Sequence, residues 1–388
     1  MRKSSVPVAA VGIVAAFALA ACGSSGGGSS NTSAPPASTP AGGNSSSASS
    51  SSSSSSGGAV NGNGAKVGII LPDTISSPRW VTADPQALAQ ACTKYNLTCD
   101  IKNANGSPNT MKSIAEQMES NGVKALVIVN LDQASGAAIE KEAAQKGVIP
   151  VDYDRLTPGG GAAVYVSFNG VTVGQTQGKT LTQCPQVKNL HTVQYVDIDG
   201  APTDNNALLF AQGYDSVLSK QPGWTRVAKQ TGNWDGPTAG RVFSSMLNKN
   251  PNIKAVMVAN DTMAQAVITD LKSQNLTGKV AVGGQDATAG GLQNIMAGSQ
   301  CFTIYKPSAK EAFPAMKAVA QLVNGQQPSD VNATTTDPVT KNKVPSILAV
   351  PVAITKANVA QPINDGYTPK KSVCTGQYAS LCTKNGVK

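Results

Sequence analysis

Histidine occurs once in this chain, at His191, and glutamate five times; aromatic residues make up only 4% of it and charged residues 14%. Each shortage removes a class of chemistry. A zinc centre draws on His and Cys, and the lone His with no CxxC or CxxxC spacing supplies none, so neither a metal nor a redox role is expected. A Ser–His–Asp triad would have to use His191, which stands at the start of a strand-like run and reads as structural. Glycoside hydrolysis needs two carboxylates of different pKa. The five glutamates, Glu116, Glu119, Glu140, Glu142 and Glu311, fall on helix faces expected to look at solvent. Asp154 and Asp286 stand at strand ends beside cations such as Arg155, which hold carboxyls ionised. Gly178-Lys179-Thr180 has the shape of the end of a phosphate loop, but Val173 occupies the position of that loop's first glycine. Gly159-Gly160-Gly161 is a turn between strands. These shortages describe a protein that is not an enzyme and needs no cofactor.

What is present begins with a separate object at the N-terminus. Arg2 and Lys3, the apolar Val6–Ala18 and the small residues Leu19-Ala20-Ala21 before Cys22 have the build of an export signal over residues 1–21. A Cys directly after Leu-Ala-Ala resembles the bacterial lipobox, which makes Cys22 the lipidated first residue; an ordinary signal with an incidental Cys is the alternative. Residues 22–64 continue, after Cys22, almost wholly as Ser, Gly, Asn, Ala and Pro, which offer little to bury and form a disordered tether, with an r.m.s. span of roughly 35 Å. No later run is long and apolar enough to span a bilayer. The net charge of +9 is scattered rather than gathered in a stripe, so nucleic acid is not an expected partner. Six cysteines remain after Cys22, an even number that reads as disulfides in an oxidising compartment. Cys92 with Cys99 and Cys374 with Cys382 can close small loops, which leaves Cys184 with Cys301 by subtraction.

From about Lys66 the chain alternates strand-like and helix-like segments, the pattern of parallel sheets built from βαβ units. Two such runs make two lobes, with a changeover near Ser167–Gly170 and another crossing at the apolar Ser346–Pro351. Five strand-like runs stop on polar residues: Val148–Asp154 then Arg155, Val193–Asp199 then Asp204 to Asn206, Ala255–Asn260 then Asp261, Val280–Asp286, and Phe302–Tyr305 then Lys306. In open α/β sheets ligands bind outside the carboxyl ends of strands, so acids, amides and cations stand where a polyhydroxylated molecule would sit. Any single strand-end Asp also reads as a helix cap. Trp80 and Trp234 lie in loops at strand ends, where a flat ring can stack on a sugar, or cap the local core. Trp224 opens a strand and reads as packing.

These segments resemble the type I periplasmic sugar-binding proteins of ABC importers, and within that family most of all the D-xylose-binding members. The resemblance rests on Pro78-Arg79-Trp80, Asn103 to Gly106, Tyr153-Asp154-Arg155, Tyr165 to Phe168, Asp204 to Ala207, Ala259-Asn260-Asp261, Gly284 to Ala287 and Ile304 to Pro307. It implies an α/β fold of two lobes, each a parallel sheet flanked by helices, hinged by crossing strands. One lobe would take residues 65–167 plus 307–345 and the other 168–306 plus 346–366, with a Cys-containing tail at 367–388. It further implies that Arg79, Asp154, Arg155, Asp204, Asn206, Asn260, Asp286 and Lys306 hold a monosaccharide between the lobes, with Trp80 and Trp234 stacking on it. The implied partners are an ABC permease and its ATPase, and the membrane reached through the lipid on Cys22. The implied form is a monomer on the outer face of the cell membrane. A sugar receptor that signals to a membrane partner is the alternative. The six body cysteines, the loop Pro72–Pro78 and the tail after Tyr367 depart from the family pattern.

Overall fold

The computed structural model describes residues 60–388; the export signal, Cys22 and the tether up to residue 59 lie outside the described residues. Alternation of apolar strands with capped helices builds the first lobe. Strands β1 (Lys66–Leu71), β2 (Thr98–Asn103), β3 (Ala125–Ile128), β4 (Ile149–Tyr153) and β5 (Tyr165–Phe168) pair in parallel. Helices α1 (Ala83–Lys94), α2 (Pro108–Ser120) and α3 (Gln133–Gln145) connect the first four of them. Ser107 and Asp132 cap α2 and α3 through their side-chain oxygens, which satisfies N–H groups that the first helical turn leaves free.

The chain crosses at Asn169, itself the cap of α4 (Gly170–Thr182). The second lobe follows as β6 (Val193–Asp199), α5 (Asn205–Leu218), β7 (Trp224–Thr231), α6 (Gly236–Lys249), β8 (Ile253–Val258), α7 (Asp261–Ser273), β9 (Ala281–Val282), α8 (Ala289–Ala297) and β10 (Thr303–Tyr305). Its four-stranded parallel sheet has the order β7-β6-β8-β9. Helix α9 (Ala309–Leu322) then returns to the first lobe, where its Ala312, Met316 and Val319 pack in one apolar cluster with Val67, Ile69 and Val127. Strands β11 (Ala333–Thr336) and β12 (Lys343–Ala349) complete a seven-stranded sheet of order β11-β12-β5-β4-β3-β1-β2.

Three features depart from the sequence expectation. Residues 60–64, read above as the end of the tether, are bound to the first lobe, where the Gly62 and Gly64 amides donate to the Tyr95 and Asn96 carbonyls at 2.7 and 2.8 Å. Residues 346–349, assigned above to the second lobe, pair with β5 in the first sheet, so the last crossing follows Ala349. A short apolar run of this kind suits either sheet, and only pairing decides between them. Nor are all neighbours parallel: β11 runs antiparallel to β12, and β13 (Val352–Ile354) runs antiparallel to β10. The chain ends in short helices α10 (Gln361–Asn364), α11 (Lys370–Val373) and α12 (Ala379–Lys384), the last two in the tail, which packs against α8. Disulfides join Cys92 to Cys99, Cys184 to Cys301 and Cys374 to Cys382, with Cα separations of 6.3, 5.9 and 5.7 Å. The second closes the longest loop, and in the chain-entropy account such a loop contributes roughly 4–5 kcal/mol. No helix among the described residues is long and apolar enough to cross a membrane.

Candidate functional site

The carboxyl ends of both sheets face one cleft. Arg79, Trp80, Asp154 and Arg155 line it from the first lobe, Asp204, Asn206, Trp234, Asn260 and Asp286 from the second, and Lys306 from the crossing after β10. All ten sequence-derived residues therefore meet at one place, around about 310 Å³ not filled by protein atoms. Its wall is far more polar than that of most organic-ligand pockets.

Asp204 and Asn260 are helix caps that also line the cleft, because each side chain divides its atoms. Asp204 accepts the amide of Asn206 on Oδ1 to start α5, while its Oδ2 accepts the Trp234 indole N–H at 3.0 Å. Asn260 accepts the amide of Met263 on Oδ1 to start α7, and its Nδ2 donates to the Ser76 carbonyl of the other lobe at 2.8 Å. The lobes also meet where Asn206 Nδ2 donates to the Asp154 carbonyl and Oδ1, at 2.9 and 3.1 Å, and where Arg155 Nε lies 3.1 Å from Asp204 Oδ2. Lys306 Nζ sits between Asp154 and Asp286 at 3.7 and 3.6 Å, beyond direct hydrogen bonding to either.

Charge at the floor of the cleft is set by burial and pairing together. Arg79 gives Nε and Nη2 to Asp84 at 2.7 and 2.8 Å, Nη1 to Asp154 at 2.8 Å, and Nη2 also to Glu311. Burial works against its charge, but Asp84, Glu311 and Asp154 outweigh that and push its pKa further up. Burial alone would raise the Asp154 carboxyl as well; Lys306, Arg79 and Arg155 overcome it and hold the group at about 2. Glu311 goes the other way. Burial, with Asp154 and Asp84 nearby, carries it up to about 8 against the pull of Arg79 and Lys306. Asp204 is also raised, by burial acting against Arg155.

Backbone strain gathers at the same place. Asp154, Trp234 and Asp286 have φ of +61°, +57° and +90°, in the left-handed region that non-glycine residues rarely occupy. Such a conformation persists where the surroundings over-determine it. At Asp154 the carbonyl accepts Ser167 Oγ at 2.6 Å and Tyr165 Oη at 3.2 Å, and the amide donates to Val166 at 2.8 Å. Four buried oxygens of lining residues, Ser77 Oγ, Asn206 Oδ1, Gln285 Oε1 and Asp286 Oδ1, have no hydrogen-bond partner among the described residues. Native proteins pair nearly all buried polar atoms, so these four oxygens are open to a polar partner.

The aromatic residues have two duties each. Trp234 lines the cleft and also joins the second-lobe core, edge-on to Phe210 at 6.4 Å between centroids. Trp80 lines the cleft and joins the first-lobe core, with the Arg79 guanidinium 4.4 Å from its ring centroid. Trp224 packs on Tyr195 at 5.7 Å, away from the cleft. His191 is exposed. Two glutamates correct the solvent-facing expectation: Glu140 and Glu311 are fully buried. Their helices α3 and α9 pack against the first sheet, and a carboxyl on that face stays only because polar groups meet it, Gly161 N–H at Glu140 and Arg79 at Glu311.

Sequence reasoning missed Ser76, Ser77, Phe210 and Gln285 in the wall and Asp84 beneath it. Phe210 carried a usable signal: one helical turn after Asn206 on α5, it shares the same face. Asp84 carried none, since its role as acceptor for Arg79, Tyr153 and Ser308 arises from three separate segments. Gly200 is a further hidden requirement, because a Cβ there would fall 2.1 Å from the Trp234 ring.

A family model described as periplasmic binding protein domain matches residues 67–327. The D-xylose-binding periplasmic protein of Escherichia coli is 32% identical over 315 residues, 80% of this chain and 92% of that protein. A multiple sugar-binding periplasmic protein of Azospirillum brasilense is 30% identical over 317 residues, 75% of this chain and 86% of that one. Among solved structures, a carbohydrate transporter solute-binding protein of Chloroflexus aurantiacus in complex with D-glucose superimposes with a TM-score of 0.71 at 27% identity. That superposition covers 79% of this chain and 97% of that one.

Proposed function

The chain belongs to the periplasmic binding protein domain family, and on that premise we propose that it captures a single monosaccharide, D-xylose, in the cleft between its lobes and delivers it to an ABC permease. The observation that carries this reading is the convergence of Arg79, Asp154, Asn206, Asn260, Asp286 and Lys306, from both lobes, on one small polar space. Sugar hydroxyls donate and accept at once, and this set offers them acceptors, donors and amides that do both. Each hydrogen bond to a charged partner contributes about 1.5–3 kcal/mol, and a site excluding water penalises any ligand that leaves one of its groups unpaired. The indoles of Trp80 and Trp234 supply flat apolar surface for the C–H face of the ring.

Capture works by population shift. The lobes are joined at Asn169, after Lys306 and after Ala349, so they hinge as two bodies, and a ligand that bonds both walls favours the closed arrangement. The direct cross-lobe bonds of Asn206 and Asn260 show how near the walls come. A permease then reads the closed shape. On this reading Cys22 carries a lipid and the segment from there to residue 59 holds the receptor near the outer face of the membrane.

Calorimetric titration with D-xylose, L-arabinose, D-ribose and D-glucose tests the proposal. Saturable heat, largest with xylose, supports it; larger heat with glucose moves the assignment within the sugars, and no heat with any of the four rejects the site.

A further inference from the structure

Residues 367–388 lie beyond the matched family region, yet they reach the supports of two cleft residues. Asp286 and Ala287 are consecutive left-handed residues, with φ of +90° and +47°. Neither is glycine, so the turn needs to be held. Asp286 N donates to the Ile304 carbonyl at 2.8 Å and Ala287 N to Thr303 Oγ1 at 3.0 Å, both ties to β10. The third tie comes from the tail: the buried Thr368 hydroxyl donates to the Ala287 carbonyl at 2.7 Å. One residue earlier, Tyr367 packs edge-on to Tyr305 at 5.0 Å between centroids, directly before Lys306.

The tail is itself fastened to the second lobe. Gln293 Nε2, on α8, donates to the carbonyls of Ser372 and Val373 at 3.3 and 2.9 Å. Val373 and Cys382 are buried in one apolar cluster with Ala287 and Tyr305, apart from the main core of that lobe. The immediate neighbours of Asp286 and Lys306 thus rest on a small core that the tail completes, and the Cys374–Cys382 disulfide closes the segment on itself.

We infer that the C-terminal tail is part of the binding machinery, with Thr368 as a positioning residue that holds the Asp286 turn and Tyr367 as the prop behind the Lys306 strand. The inference rests on the sugar-binding reading for its effect on affinity, but its structural claim stands by itself. Asp286 and Lys306 come from successive elements that are tied together through β10, through this cluster and through Asp261, whose carboxylate accepts both Thr288 and Thr303. Loosening the tail therefore disturbs the spacing of the ion pair, and reaches Asp154 only through the lysine that the two carboxylates share.

Thr368→Val and Thr368→Ser, made in the full mature protein, separate positioning from general stability. Thr368→Val keeps the shape and removes the donor, so sugar affinity falls about tenfold, and Thr368→Ser, which keeps the hydroxyl, restores it to within about twofold of the parent. Phe243→Leu, buried in the main second-lobe core away from the cleft, serves as a destabilised control that leaves affinity unchanged. Hydrogen exchange on the sugar-free protein gives the independent reading: Thr368→Val speeds exchange at the Asp286 and Ala287 amides and leaves first-lobe amides as they were. Unchanged exchange at those amides, or parental affinity in Thr368→Val, overturns the inference. If the parent binds none of the four sugars, the functional proposal fails and the exchange result alone still decides whether the tail holds the turn.

Discussion

Replacing Asp154 by Asn asks whether the cleft works through charge or only through shape. The substitution keeps the side-chain outline, and Asn accepts the left-handed backbone at φ +61° as readily as Asp does. What disappears is the anion facing Arg79 at 2.8 Å and Lys306 at 3.7 Å. The displacement of the carboxyl from 3.8 to about 2, at about 1.4 kcal/mol per unit, puts the electrostatic stake at roughly 2–3 kcal/mol. Because the folded pKa is depressed, this stability is present above the unfolded value near 3.8 and disappears as pH falls through about 2. Denaturant unfolding of the empty protein should thus show Asp154→Asn less stable at pH 7, with the gap closing between about pH 4 and pH 2. Binding should suffer separately. Loss of a charged acceptor for a sugar hydroxyl costs about 1.5–3 kcal/mol, which calorimetry at pH 7 reads as a 10- to 150-fold weaker affinity. Affinity within about twofold of the parent, together with the predicted stability gap, would make Asp154 a structural counter-ion rather than a ligand group. A stability gap that ignores pH would refute the charge argument itself.

Two further outcomes follow from the geometry. Gly200→Ala places a methyl 2.1 Å from the Trp234 ring, so titration should show the indole displaced and binding weakened about as much as in Trp234→Ala, at least tenfold. Gly240→Ala, whose new methyl meets Ala266 at 3.5 Å and Asp270 at 3.9 Å in ordinary contact, should bind normally. Trp234→Ala itself should also lower the melting temperature, because the ring is only 9% exposed and packs in the second-lobe core. For the raised carboxyls the sign reverses: Glu311 at about 8 and Asp261 at about 7 contribute stability that is complete below their unfolded values and lost as pH rises through the folded ones. Thermal melts of the parent should accordingly fall from about pH 5 to pH 9, and Glu311→Gln should flatten part of that slope; an unchanged slope would mean Glu311 is already ionised beside Arg79.

The site was readable to the extent that its signals were local. An apolar run ending in Asp, Asn or Lys places that residue at a strand end whatever the rest of the chain does, so Asp154, Asp204, Asn206, Asn260, Asp286 and Lys306 could be named from short segments. Asp84, Glu311 and Gly200 could not. Asp84 is a helix residue like many others until Arg79, Tyr153 and Ser308 converge on it. Glu311 stands in the first turn of α9, where a carboxylate reads as solvent-facing until the Arg79 guanidinium, 232 residues away in sequence, meets it.

Alternation of strand and helix, the polar strand ends and the export-like N-terminus are properties of sequence order, and they determined the fold class and the kind of ligand. Pairing partners are not in that order. That residues 346–349 join the first sheet, that Asn260 spends one atom on its helix and another on the opposite lobe, and that the tail props the Asp286 turn were decided only on folding. The physical reason is that hydrogen bonds and close packing act through space, between segments up to 263 residues apart here, while a sequence displays only neighbours.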